Sequence, residues 1–250
     1  MLKARTKQNH KLSIDDYFMS VLYVIATPIG NLDDISKRAL DTLKSVDYIL
    51  CEDTRVSQKM LARFGIKKPL IAYHQHSKLS KINEILELLE QGKNLALISD
   101  AGTPGISDPG GKLVKEVVEW LSDKVEIVPI PGPSAITAIA SVCGFAMDKF
   151  LFLGFPPQKN KRKKFFEEVA ASKYPVIFYE SPYRILKTLN ELLAISSSRN
   201  IEISLVVGRE LTKKFETIYR GAIDEVIEQI KKDAPGGSPK GEFVVAINKI

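Results

Sequence analysis

The ionisable residues of this chain that could hold or move a proton gather beside glycine and proline. Asp100 opens the segment DAGTPGISDPGG, residues 100–111, in which four glycines and two prolines surround two aspartates. Glycine lets a backbone come close to a ligand and proline fixes φ, so the composition describes a rigid loop that shapes peptide groups around a bound molecule. An ordinary turn rich in turn formers is the simpler reading of the same letters. Asp100 is open to three roles there: taking a proton, binding a ligand or capping the loop. Glu52, Asp53 and Arg55 form either a binding cluster or a satisfied ion-pair set. Glu180 stands four residues before Arg184 and is either a base or that arginine's partner, and Arg209, Glu210 and Lys213 make a third charged group. Lys159–Lys164, written KNKRKK and followed by Phe165 and Phe166, suits contact with phosphates or a solvated helix entrance.

Other chemistries lack their signatures. TPIGN at 27–31 carries one glycine and is no dinucleotide fingerprint, and no GxxxxGK[ST] phosphate loop occurs. His74 and His76 are two apart at an expected strand end, which points them to opposite sides, and His10 falls in the N-terminal arm. Cys51 and Cys143 are the only cysteines, so neither a disulfide framework nor a metal site is expected.

The elements that position these residues follow one rhythm. Val21–Ala26, Val46–Cys51, Leu70–Tyr73, Asn94–Ser99 and Val125–Ile130 are apolar strand-like runs. Each is followed by a loop and an apolar-periodic segment, the first expected as a helix over Ile35–Leu43, the signature of βαβ units and a parallel sheet. The right-handed crossover rule brings the loops 27–31, 52–55, 74–76, 100–110 and 131–135 to one sheet edge. Around Gly144–Asp148 the pattern breaks, and a second α/β set runs from a strand over Phe150–Phe155, through a helix from about Phe165 to Ala171, to Asn248. The expectation is a flexible arm over 1–20, an α/β domain with a parallel sheet over 21–148, and an α/β domain with a mixed sheet over 149–250. Synthesis starting at Met19 is an alternative to the arm.

At 250 residues the chain can bury a core without staples. Residues 1–148 balance to zero formal charge, so the whole +6 belongs to residues 149–250, as expected if one half engages a polyanion. No apolar run reaches the roughly 20 residues of a membrane span, and the expectation is a soluble, cytoplasmic protein without a membrane partner.

Read together, PIGNL (28–32), CEDTR (51–55), SDAGTPGISDPG (99–110), IPGPSA (130–135), FYESPYR (178–184) and GRELTK (208–213) resemble the motif series of the small-subunit ribosomal RNA 2′-O-methyltransferases of the tetrapyrrole methylase superfamily. The resemblance runs from Leu22 to Ile247. It implies two α/β domains with S-adenosylmethionine in the cleft between them, a homodimer, and methylation of a decoding-centre cytidine ribose in 16S ribosomal RNA, free or in the assembled small subunit. It implies that Gly102, Thr103, Ile106, Ser107, Pro131, Gly132, Ser134 and Ala135 hold the methyl donor, with Asp100 beside them. From the second domain it implies Phe178, Tyr179, Glu180, Gly241, Glu242 and Phe243, and it sets Pro28 and Gly30 nearest the reacting methyl. The chain has an added N-terminal arm and stops after its last strand, where many relatives continue into a helical segment.

Methyl transfer to a ribose hydroxyl requires alignment and removal of a proton from a weak acid. Asp100, Glu180, Glu210 and Lys213 are the candidates for that proton. Arg55, Lys161, Arg162, Lys163, Lys164, Arg184, Arg209 and Lys213 are the candidates for RNA contact. Methylation of a tetrapyrrole, or RNA binding without catalysis, are the competing functions.

Overall fold

The computed structural model describes residues 19–74, 77–121, 123–235 and 237–249. His10, His76 and residues 1–18 of the expected arm lie outside the described residues, whereas Ser20, counted with the arm, is the first residue of a strand. The first sheet contains β1 (Ser20–Ile25), β2 (Tyr48–Cys51), β3 (Leu70–Ala72), β4 (Leu95–Leu97) and β5 (Val125–Ile130). Its order is β3-β2-β4-β1-β5 and every pairing is parallel.

Helices α1 (Lys37–Ser45) and α2 (Thr54–Arg63) cover one face of this sheet, packing Ala39, Leu43 and Leu61 on Ile25, Ile49 and Ile98. Helices α3 (Leu79–Glu90) and α4 (Gly111–Leu121) cover the other, packing Ile82, Ile85, Leu113 and Val117 on Leu22, Leu50 and Leu97. The adjacent strands β1 and β4 therefore send their connections to opposite faces. That divergence opens a crevice at the carboxyl edge, the place where open α/β sheets take ligands.

The second sheet holds β6 (Leu151–Phe152), β7 (Val176–Glu180), β8 (Ile203–Arg209), β9 (Thr217–Gly221) and β10 (Phe243–Lys249), in the order β6-β7-β10-β8-β9. Only β6 and β7 pair in parallel, so the sheet is mixed. Alternation along β10 sends Phe243, Val245 and Ile247 into a core with α6 (Arg162–Ala171), α7 (Ile185–Arg199) and α8 (Ile223–Lys232). Val244 and Ala246 face the other way, onto Ile139 of α5 (Ala135–Val142). Thus α5, which leaves the first sheet, is the layer that covers the second.

Two expectations shift. The strand expected over 150–155 narrows to Leu151–Phe152, although the chain stays beside β7 as far as Gly154, whose carbonyl accepts from Tyr179 N at 2.9 Å and whose φ of +64° ends the extended run. The helix expected from Phe165 begins at Arg162, a change that matters for the charged run.

Candidate active site

The loop after β4 is held by reciprocal backbone bonds to the loop after β1. Thr27 N donates to Gly102 O at 2.9 Å and Gly102 N donates to Thr27 O at 3.1 Å. The Thr27 hydroxyl, fully buried, donates to Ser99 O at 3.0 Å. Gly110 closes the loop at φ +147°, where a Cβ would stand 3.1 Å from Gly105 N and from Leu97 Cδ2. A side chain there would meet both strain and atoms.

Opposite this loop, three strands of the second sheet present one row. Val244 of β10 pairs with Tyr179 of β7 on one side and Gly208 of β8 on the other. Between loop and row lies a cavity of about 320 Å³, within the range of small-molecule sites. Of the expected donor-binding residues it is lined by Gly102, Thr103, Ile106, Ser107, Ser134, Ala135, Tyr179, Glu180, Glu242 and Phe243.

Other expected contacts fall outside the wall. Phe178 points into the core of the second sheet, fully buried with its ring 5.6 Å from that of Phe165. The alternation of β7 turns it away from the row that includes Tyr179. Gly132 packs on the end of β1, with Ala26 Cβ 3.1 Å from where its own Cβ would be. Neither Pro131 nor Gly241 is in the wall, and Pro28 and Gly30 leave Ile29 between them as the lining residue. Asp100 is replaced in the wall by Ala101, and its Oδ1 accepts from Asp53 N at 3.3 Å.

The expected proton carriers are mostly committed to other groups. Glu180 is 1% exposed. Its Oε1 accepts from Ser181 N at 2.7 Å and pairs with Arg184 at 2.8 Å, and its Oε2 accepts from Thr188 Oγ1 at 2.6 Å. It holds the second wall in place. Lys213 Nζ donates to Glu210 at 2.9 Å and to Glu242 at 3.0 Å. Burial works against the Lys213 charge, yet the two carboxylates outweigh it and raise the ammonium pKa. The same contact, with Glu242 N, holds Glu210 below its usual range despite burial. Lys213 therefore stays charged and Glu210 is a weakened base.

The charged run divides. Lys161, Lys163 and Lys164 are exposed. Arg162 is 7% exposed: it donates to Glu191 Oε2 at 2.7 Å, Thr188 Oγ1 at 2.6 Å and Pro157 O at 3.0 Å, and lies over the Phe166 ring. It cannot reach a phosphate without leaving a buried network. Arg184 is tied to Pro156 O and Ser181 Oγ, and Arg209 to Lys240 O. Arg55 remains at the surface, paired through two nitrogens with Asp53, which caps α2 and is held well below the usual carboxylate range chiefly by that arginine. His74 is an exposed strand-end residue whose N–H donates to Ser77 Oγ.

Sequence reasoning missed Asp108, Phe155, Ser181, Pro182 and Leu211, all in the wall. Asp108 was in plain view, but Asp-Pro-Gly reads as turn chemistry. Burial, followed by Glu52 and Asp100 nearby, pushes its carboxyl up to about 6 against a hydrogen bond from Ser99. Burial and Asp108 together push the Tyr179 hydroxyl up to about 12. Among the described residues no group of three or more His, Cys, Asp or Glu could hold a metal ion, and no helix is long and apolar enough to cross a membrane.

Comparison with known proteins bears on the fold and the family. The chain is 43% identical to the ribosomal RNA small subunit methyltransferase I of Synechocystis sp., over 92% of this chain and 79% of that protein. Its identity to the protein of the same name from Thermotoga maritima is 42%, over 92% of this chain and 99% of the relative. A cobalamin biosynthetic enzyme, cobalt precorrin-4 methyltransferase, shares the fold with TM-score 0.63 at 18% identity, covering 92% of this chain and 95% of the other. The family described as Tetrapyrrole (Corrin/Porphyrin) Methylases matches residues 21–227, and the chain belongs to that family.

Proposed function

We propose that this protein transfers a methyl group from S-adenosylmethionine to a ribose 2′-hydroxyl of small-subunit ribosomal RNA, at a decoding-centre cytidine. The observation that carries the reading is the identity of 42–45% with proteins named ribosomal RNA small subunit methyltransferase I over about nine-tenths of the chain.

The wall fits such a donor. Ile29, Ile106, Phe155, Leu211 and Val244 offer apolar surface for a heterocycle, and Thr103, Ser107 and Ser134 offer hydroxyls. Glu242 offers negative charge to a cationic ligand. When bound, the sulfonium supplies an electrophilic methyl carbon with a neutral thioether as leaving group. This chain's part is to align the acceptor, exclude water and receive a proton. Alignment in a closed cleft is worth about 7–11 kcal/mol in well-oriented cases.

RNA is drawn by the charge excess of residues 149–250, with the exposed Lys161, Lys163 and Lys164 as phosphate contacts. Arg55, already paired with Asp53, sits at the edge of the first sheet as a further contact. A cytoplasmic homodimer belongs to the same reading, and sedimentation at micromolar concentration checks the dimer. The test of function is incubation of the protein with labelled donor and small ribosomal subunits, with naked ribosomal RNA and a tetrapyrrole in parallel. Label is expected on a ribose of the RNA and absent from the tetrapyrrole. RNA binding that ignores the donor, with no label in any arm, refutes the reading.

A further inference from the structure

We propose that Asp108 is the catalytic carboxylate that takes the proton from the acceptor hydroxyl, an inference resting on the methyltransferase reading above. The ionisable strand-end residues expected in this role are engaged elsewhere. Asp100 lies outside the cavity wall, Glu180 is saturated by Ser181, Thr188 and Arg184, and Glu210 and Lys213 neutralise one another. Glu242 lines the wall, but it is bound to Lys213 and its side chain is 72% exposed.

Asp108 differs on each count. It lies in the wall, half-buried, and among the described residues it forms no ion pair. The groups that face it are the Ser99 hydroxyl, the Glu52 and Asp100 carboxylates and, across the cavity, the Tyr179 hydroxyl. Only Ser99 favours its charge; burial and the two carboxylates oppose it. A carboxyl brought to about 6 in this way is a stronger base than an ordinary aspartate. It is still mostly ionised at neutral pH, the combination general-base catalysis requires. Tyr179, held near 12, stays protonated and can only donate.

In the step itself the acceptor O–H bond breaks as the oxygen–methyl bond forms. The carbon–sulfur electron pair stays on sulfur, and the proton passes to an Asp108 oxygen and then to water. The net release is one proton per methyl group transferred.

The experiment compares the full-length protein with Asp108→Asn and Asp108→Glu, using labelled donor and small ribosomal subunits under single turnover from pH 5 to 9. The wild-type rate is expected to rise through a pH of about 6 and then level. Asp108→Asn should lower it about 10²–10⁴-fold and abolish that limb, while Asp108→Glu restores part of both. Equilibrium dialysis should find donor affinity changed less than about threefold, within 0.7 kcal/mol. A carboxyl-labelled NMR titration should find one aspartate near 6 that is missing in Asp108→Asn, whose amide dispersion reports its folding. An unchanged single-turnover rate in a folded Asp108→Asn overturns the proposal, as does a tenfold loss of donor affinity with normal rate at saturation. Failure of the wild type to label any subunit refutes the functional reading instead, and the proposal falls with it.

Discussion

Arg162 and Asp108 are both charged residues drawn inward, and what separates them is the number of their partners. Arg162 has Glu191, Thr188 and Pro157 O, and its removal would take from Thr188, which itself donates to Glu180, the donor that orients it, and from Glu180 a cation 4.0 Å away. Breaking a buried pair by deleting one member costs about 3–5 kcal/mol, so Arg162→Ala should lose about that much in urea unfolding. Replacing Lys161, Lys163 and Lys164 together by glutamine should leave stability within about 0.5 kcal/mol, while weakening RNA binding and flattening its salt dependence. The opposite pattern would return Arg162 to the RNA surface. Asp108 has no such compensation. Its carboxyl is raised from 3.8 to about 6, so the folded state prefers it protonated. Its destabilising effect is absent below 3.8 and grows as pH rises through about 6. Thermal unfolding of Asp108→Asn should therefore show a higher Tm than wild type at pH 7, with the difference shrinking toward pH 4. The sequence hid both residues for identifiable reasons. Arg162 precedes Phe165, Phe166 and Val169 by three, four and seven residues, the spacing of one helix face, but this is visible only if the helix is started at 162. Asp108 carried no signal beyond its loop.

At the scale of elements the reading from sequence holds wherever one hydrophobic period runs uninterrupted. The five parallel strands and their helices were legible because β-branched runs and apolar stripes of different period alternate, and β5 has the bounds its letters imply. Boundaries set by local polar bonds were not. The helix expected from Ile35 starts at Lys37, because the Ser36 side chain accepts from Ala39 N and Asn31 caps a separate turn over Leu32–Asp34. The glycine-rich loop was recognisable as rigid, and its rigidity can be apportioned. Gly92 and Gly110 both have positive φ, but a Cβ on Gly92 enters open space whereas one on Gly110 meets Gly105 and Leu97. Backbone strain of this kind costs about 1–3 kcal/mol. Gly92→Ala should lose stability within that range and bind the donor normally. Gly110→Ala should lose more and also weaken donor binding, because relief of the contact must displace the wall. Equal donor affinity in the two variants, measured by equilibrium dialysis, would show that the loop tolerates movement.

The two sheets act together only if the walls they contribute stay in register, and the contacts that enforce this are few and specific. Packing of α5 on β10 provides the apolar layer, and Arg220 donates to the carbonyls of Val142 and Cys143 at the end of that helix. Near the cavity, Asn31 N donates to Thr212 Oγ1 at 3.0 Å, and Gly30 lies directly against the turn after β8. Sequence motifs identified both segments but could not show that they touch, since that depends on how one sheet sits on the other. A Cβ at Gly30 would stand 2.4 Å from Lys213 Cγ, 2.8 Å from Thr212 Oγ1 and 3.0 Å from Leu211 O. Backbone and side chain of the second half must both yield, although neither core is touched. Gly30→Ala should consequently cost no more than about 1–3 kcal/mol in urea unfolding, the scale of an overpacked contact. Donor affinity should fall at least about tenfold, equivalent to 1.4 kcal/mol, because Leu211 and Glu242 line the cavity and Lys213 holds Glu242. Adding Lys213→Ala removes the nearest obstacle. If close approach is the cause, the double variant should bind the donor better than Lys213→Ala and Gly30→Ala would when their separate losses are summed. Strict additivity would instead mean that the two residues act independently and that the halves are aligned by α5 alone.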